Sequence, residues 1–536
     1  MRINIILERL NNLKLWWLFF LYTFFVSVFV QMVLLPYVFP HLHAGYGLLN
    51  SSLDSIGFHQ LAVDLANKIH IQGWSAWQLS PGGQSPAGIA SIFYFFILPD
   101  PRIFIPISAA LHASAALILF NLLNLFLKNK SRVVLCVLPF LAFPSNMQWT
   151  AQWHRDGFSI LGVVLILQGM VLTAKLLNYR FGKWSLDNFY VIISYLCGFI
   201  LILVARPYLL TIIEPFVKLF FFTLSLLFLI ETFKKELPWK ITLFVLLSML
   251  LIVFVLGRLK TNIGSVEFKE SASVSDSANA DDEEEYVEEY EAEEIPQPVL
   301  IAEPLSGKLS LEEGVTFTDK GEVLVAPGGL QPAVVAKPTT QITSHKISQL
   351  KTKKRKIKVK KLIKNDYIED HWRRSFWLPL SVENKAYNLA VFRKGFRLSS
   401  PEAKSNIDRN IGFGSIKDEL IYLPRAAQIV FLAPFPNQWF ASGSCAANSL
   451  MRRISVFEMT VVYFALIFLP YGIWLWRKRI EIWIISIFCI YMMLVYGLVV
   501  CNIGSLYRMR YVYITILVAL GIAGFIALLE QLKPKS

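Results

Sequence analysis

The sequence predicts an all-α polytopic membrane protein with about ten transmembrane helices, external amphipathic helices and one large, partly disordered external loop. Three observations carry that expectation. Hydrophobic residues make up 55% of the 536-residue chain and charged residues only 17%, with a mean hydropathy of +0.50, which excludes an ordinary water-soluble enzyme. Apolar runs near 20 residues recur along most of the length, enough for a helix to cross ~30 Å of hydrocarbon. Most Lys and Arg residues fall in short clusters between apolar runs, and those clusters occupy every second loop, as the positive-inside rule requires of a spanning chain.

The elements follow in order. The first apolar run, Leu15 to Phe39, is too long for a signal-peptide core and has no small-residue cleavage site after it, so it is expected to remain as a spanning helix. Arg2, Arg9 and Lys14 precede it and place the N-terminus in the cytoplasm. Further spans are expected at about 102–127, 132–147, 157–175, 188–205, 209–231, 240–257, 455–476, 481–500 and 511–530. Alternating them from a cytoplasmic start puts Lys128, Lys130 and Arg132, then Lys175, Arg180 and Lys183, then Lys234, Lys235 and Lys240, then Arg477, Lys478 and Arg479, then Lys533 and Lys535 inside. The run Pro86 to Leu98 has only 13 residues. It is expected to be a re-entrant or interfacial helix, because counting it as a span would invert every later loop.

Four regions result: residues 1–257, an N-terminal transmembrane module with the first external loop; 258–371, a charged and disordered external loop; 372–454, a small element on the membrane surface; and 455–536, a C-terminal transmembrane module. Within the charged loop, DDEEEYVEEYEAEE at 281–294 and KTKKRKIKVKK at 351–361 are like-charge blocks that repel themselves and favour a solvated tether. Pairing of the two blocks, or contact of the basic one with anionic lipid or polysaccharide, is the competing reading. Beyond the tether, Tyr422 to Phe440 carries an apolar run between prolines and suits an interfacial helix.

The net charge of +14 does not indicate nucleic acid, since the basic residues are spread between spans rather than gathered on one soluble face. Five cysteines without CxxC spacing support neither a zinc site nor a disulfide framework, no cofactor is expected, and nothing in the sequence supports a divalent cation.

The chemistry must come from polar residues at the outer ends of spans. Asp54 opens an amphipathic helix in which Leu53, Ile56, Leu61, Leu65 and Ile69 recur at helical spacing. It is a candidate general base for an acceptor hydroxyl, and N-capping of its own helix is the alternative role. Asp64 lies nearly three turns away, ~15 Å, and cannot act on the same atom. In WTAQWHRDGF, His154, Arg155 and Asp156 precede a span; on one helix they would point in different directions, and capping by Asp156 competes with a joint role. Trp149 and Trp153 alone could form an aromatic belt. Arg206, in LVARPYLL, is a cation placed against the charge rule. In CNIGSLYRMRY, Arg508 and Arg510 flank the last span and suit bidentate binding of a diphosphate, with snorkelling as the alternative.

An external loop with an early Asp in DSIGFHQLA, a loop ending in SP before a short apolar helix, and the FPSNMQW-to-HRDGF junction together resemble the integral-membrane glycosyltransferases of the GT-C superfamily. ARPYL, YLPRAAQIVFLAPFP and NIGSLYRMRY resemble bacterial membrane proteins of exopolysaccharide and O-antigen clusters, the family 39-like transferases or repeat-unit polymerases. The likeness leaves out about 265–365. It implies transfer of a sugar or oligosaccharide from a polyprenyl-phosphate or diphosphate carrier to a glycan or lipid acceptor, on the outer face of the bacterial inner membrane, with both termini cytoplasmic. In that family the early Asp is the base, which falls here on Asp54. A second acid in the next external loop falls on Asp156, embedded here in HRD, and His154 stands beside it. His59, Arg155, Arg206, Arg508 and Arg510 are the expected substrate-binding residues. A transporter of lipid-linked oligosaccharide is the competing class, although internal repeats and charged mid-span residues are not evident. A non-enzymatic membrane scaffold is the third.

Overall fold

In a computed structural model, residues 11–50, 53–178, 186–235, 372–399, 403–443 and 446–532 are described. They all belong to one compact unit. The two charged blocks and the expected span at 240–257 lie outside these residues, as do Cys445 and the N-terminal Arg2 and Arg9.

Secondary structure among the described residues is helical, with isolated bridges but no strand. In chain order the helices are α1 (Asn12–Phe29), α2 (Leu53–Gln72), α3 (Ser85–Phe96), α4 (Ile105–Leu123), α5 (Lys130–Ala142), α6 (Pro144–Thr150), α7 (Arg155–Asn178) and α8 (Leu186–Ala205). They continue with α9 (Pro207–Lys235), α10 (Leu380–Ser399), α11 (Ile416–Leu432), α12 (Ala446–Leu475), α13 (Ile480–Val499), α14 (Ile503–Met509) and α15 (Tyr511–Leu532). Seven stretches are long and apolar enough to span a bilayer: Asn12–Val38, Pro101–Leu123, Arg155–Lys175, Pro207–Leu227, Asn448–Leu475, Ile480–Val499 and Tyr511–Leu532. Each coincides with an expected span.

Two expected spans have apolar helices at or below the usual spanning length. The stretch 132–147 is broken at Phe143, whose ψ of 123° ends α5 after 13 residues. The cause is local: the residue before a proline avoids the helical region, and Pro144 follows. The apolar part of α8 is Phe189–Ala205, at the lower limit of spanning length. The short run near Pro86 forms the 12-residue helix α3. α1 continues into a π-helical segment, Val30–Val38, where Pro36 supplies no N–H to the helical ladder.

α13 and α15 form the centre, each with 72% of its apolar window buried, whereas α1 has 28% and turns Trp17, Leu21, Phe25 and Phe29 outward. On a soluble protein such a face would be an aggregation surface; on this one it is a lipid face. Small residues let the helices touch. A Cβ on Gly521 of α15 would stand 2.1 Å from the Ala465 carbonyl oxygen of α12, and Gly162 of α7 and Gly198 of α8 meet backbone to backbone.

The 372–443 segment is bound to this core rather than merely resting on a membrane. α10 and α11 both pack on α13. Arg393 is buried and donates to the carbonyls of Ile411 (2.8 Å), Leu498 (2.7 Å) and Asp408 (3.0 Å), between the rings of Phe413 and Tyr422. α11 begins six residues before the expected Tyr422 and runs through Pro424.

Within this segment Glu419 is buried on α11, with Glu383 and Asp418 close enough to repel it. Burial, reinforced by those charges, pushes its carboxyl up to about 8 from an ordinary 4.5. The folded protein therefore holds a proton that the unfolded chain releases as pH rises past 4.5, so stability falls until pH passes about 8. Glu419→Gln is expected to flatten this loss. Thermal unfolding in detergent at about pH 5 and about pH 8.5 measures it; an unchanged pH dependence in the variant would count against the assignment.

Candidate functional site: a charged cluster on a cavity wall

Four separate segments bring ionisable groups to one place. α2 presents Asp54 from its first turn. The link between α6 and α7 presents His154, α7 opens with Arg155 and Asp156, Arg206 stands between α8 and α9, and α14 carries Arg508.

The α6–α7 link is held by side chains. Gln31 donates to the Ala151 carbonyl, the Gln152 side chain bonds the backbone of Leu49 and Gly47, and the Trp153 indole donates to the Pro86 carbonyl at 2.9 Å. Trp153 is thereby a buried core residue stacked on Phe104 rather than part of an aromatic belt. Because His154 precedes the helix, it is free of the helical spacing assumed from sequence and folds back on Asp156, with Nδ1 at 2.5 Å from Oδ2. With Nδ1 directed at Asp156, Nε2 faces Asp54 Oδ2 at 3.4 Å. The ring is 2% exposed and lies against Phe58.

Arg508 joins the two carboxylates. Its Nε donates to Asp156 Oδ2 at 2.6 Å and its Nη1 to Asp54 Oδ2 at 2.9 Å. Arg206 pairs with the opposite oxygen of Asp156 from the protein side, and Arg155 lies 3.9 Å from Asp54. The first-turn Asp54 is thus engaged by side chains of other segments, not by capping. Hydrogen bonding to His154, opposed by partial burial and aided by the Arg508 charge, holds its carboxyl well below the usual carboxylate range. Three guanidiniums face two carboxylates, so the cluster carries a surplus positive charge even with His154 neutral.

Asp54, His154 and Arg508 line one cavity of about 650 Å³, a size suited to a small-molecule ligand. Arg206 and Asp156 stand behind that wall. A short bridge between Asn406 and Asn502 builds the adjoining wall, and the Asn502 side chain caps α14 and bonds Ser405. Two expected site residues lie elsewhere or act differently. His59 bonds the Tyr94 hydroxyl at 2.9 Å, away from the cavity lining. Arg510 is 1% exposed and donates to carbonyls of Val430 and Ala433 on α11 and just beyond it, so the structure separates it from Arg508. Asp64 is exposed.

Sequence reading missed Glu458. It is fully buried in α12, lines the cavity, accepts from the Ser145 N–H at 2.5 Å and bonds the Tyr507 hydroxyl. The signal was present, because a lone carboxylate in a spanning segment is costly and calls for a partner. Lys404 and Arg452, also on the cavity wall, carried no such mark.

Fold and cluster together define a membrane-embedded helical protein with a partly buried ion network at the edge of a cavity of mixed polar and apolar lining. Comparison of the chain with protein-family models, curated proteins and solved structures finds no match.

Proposed function

We propose that the chain transfers a sugar or oligosaccharide from a polyprenyl-phosphate or diphosphate carrier to a glycan or lipid acceptor at the outer face of a bacterial inner membrane. The observation that carries this reading is the meeting of Asp54, His154 and Arg508 on one cavity wall, with more positive than negative charge in the cluster. A phosphate fits that surplus.

Asp54 in its present contacts is a weak proton acceptor. A phosphate drawing Arg508 away would raise its basicity where the acceptor hydroxyl must lose a proton. The acceptor oxygen then bonds to the anomeric carbon as the bond from that carbon to the carrier phosphate oxygen breaks. The acceptor proton passes to Asp54, and the departing phosphate keeps the electron pair beside Arg508. The test is transfer of a radiolabelled sugar from a polyprenyl-phosphate donor in reconstituted vesicles. Absence of transfer, together with donor movement between leaflets, would make the protein a transporter.

The reading includes ten spans, both termini in the cytoplasm and the 258–454 loop outside, from the placement of the basic loops. A tag at position 344 is expected to be cleaved by protease added to intact spheroplasts; its protection would overturn the topology.

A further inference from the structure

The cavity has a second cationic region that the transfer chemistry above does not use. Arg452, near the start of α12, lines it together with Lys404. The Arg452 guanidinium donates to two carbonyls, Lys404 at 2.9 Å and Ser442 at 3.4 Å, and pairs with no carboxylate among the described residues. The cavity's own acids are committed elsewhere: Asp54 to Arg508 and His154, Glu458 to Tyr507 and Ser145. Carbonyl dipoles orient a guanidinium but do not neutralise it, so its charge is left for an anion that enters the cavity.

The rest of the lining is suited to hydroxyl groups. The side chains of Gln438, Asn448 and Ser405 offer amides and a hydroxyl. From this pattern we infer that the cavity binds a ligand with two oxyanions, one at Arg508 and a second at Arg452, and with a hydroxyl-rich portion beside them. The inference rests on the transfer reading and adds the chemistry of its substrate. The second oxyanion has two sources, the second phosphate of a prenyl diphosphate carrier or the carboxylate of an acidic sugar.

The experiment is equilibrium binding to the full-length protein in detergent, with four probes: farnesyl phosphate, farnesyl diphosphate, cellobiose and cellobiouronic acid. Wild type is expected to prefer the diphosphate over the monophosphate, or the acidic over the neutral disaccharide, by about tenfold or more, the effect of one charge-assisted contact. The first preference names the carrier as the source and the second names the glycan. Arg452→Gln should abolish the preference while farnesyl phosphate affinity stays within about twofold, which is ~0.4 kcal/mol. Arg452→Lys, which keeps the charge, should retain most of the preference.

Wild type showing neither preference would overturn the inference. So would an Arg452→Gln loss as large for farnesyl phosphate as for the diphosphate, because both arginines would then serve one phosphate. Farnesyl phosphate binding that is absent, or indifferent to Arg508→Lys, would instead defeat the transfer reading; an acidic-sugar preference that depended on Arg452 would still stand.

Discussion

Asp156→Ala is expected to destabilise the protein by ~3–5 kcal/mol, the cost of leaving buried charges without their partner. Asp156 is buried, and its two oxygens hold Arg206, His154 and Arg508. Arg206 is 4% exposed on its side chain, so it cannot turn to water when the carboxylate goes. Thermal unfolding in detergent measures the loss. A double variant, Asp156→Ala with Arg206→Met, separates the causes: if the penalty is the orphaned Arg206, the second substitution should recover part of it, although neither residue is restored. An Asp156→Ala protein as stable as wild type would mean that the network contributes nothing to the fold.

The largest expected effect on turnover is at Asp54. Its side chain is 37% exposed, so Asp54→Asn should cost little stability, because solvent already screens its ion pairs. The amide preserves shape but accepts no proton, and transfer should fall by ~10²-fold or more, with donor binding nearly intact. Arg508→Lys should do the reverse and weaken donor binding by ~1.5–3 kcal/mol per charged hydrogen bond lost. Radiolabelled transfer in vesicles and donor binding to each variant distinguish the two. Full activity in Asp54→Asn would pass the role of base to Asp156 or His154, and full activity in variants of both acids would argue against transfer chemistry.

Much of this arrangement was legible as polar residues at the outer ends of apolar runs. Asp54, His154, Asp156, Arg206 and Arg508 stood out because ionisable groups beside a bilayer are costly unless partnered. Their mutual geometry was not legible. A single residue decided His154: placed one step before α7, it escapes the 100° rotation per residue that would have turned it from Asp156. The two terminal arginines looked equivalent in LYRMRY, yet two helical residues differ in direction by ~200°. Arg510 accordingly faces α11, whose carbonyls no local pattern could reveal. The break at Phe143 was written in the following proline, but hydropathy averages across it. The amphipathic pattern of α2 was correct in period and incomplete in meaning, since α3 as well as lipid can cover an apolar face. Leu65 and Ile69 are buried and α2 packs along α3.

The ion network also orders events during synthesis. Asp156 meets Arg206 only 50 residues later in the chain, whereas Arg508 follows it by 352 residues and Asp54 by 454. A ribosome feeding this polypeptide into a membrane therefore delivers a neutral pair first, and α7 to α9 can settle without a naked carboxylate. The guanidinium that joins Asp54 to that pair emerges just before the final helix. Until then the ion network lacks the group that ties Asp54 to Asp156, so the cluster on the cavity wall is completed only as the last helix is made.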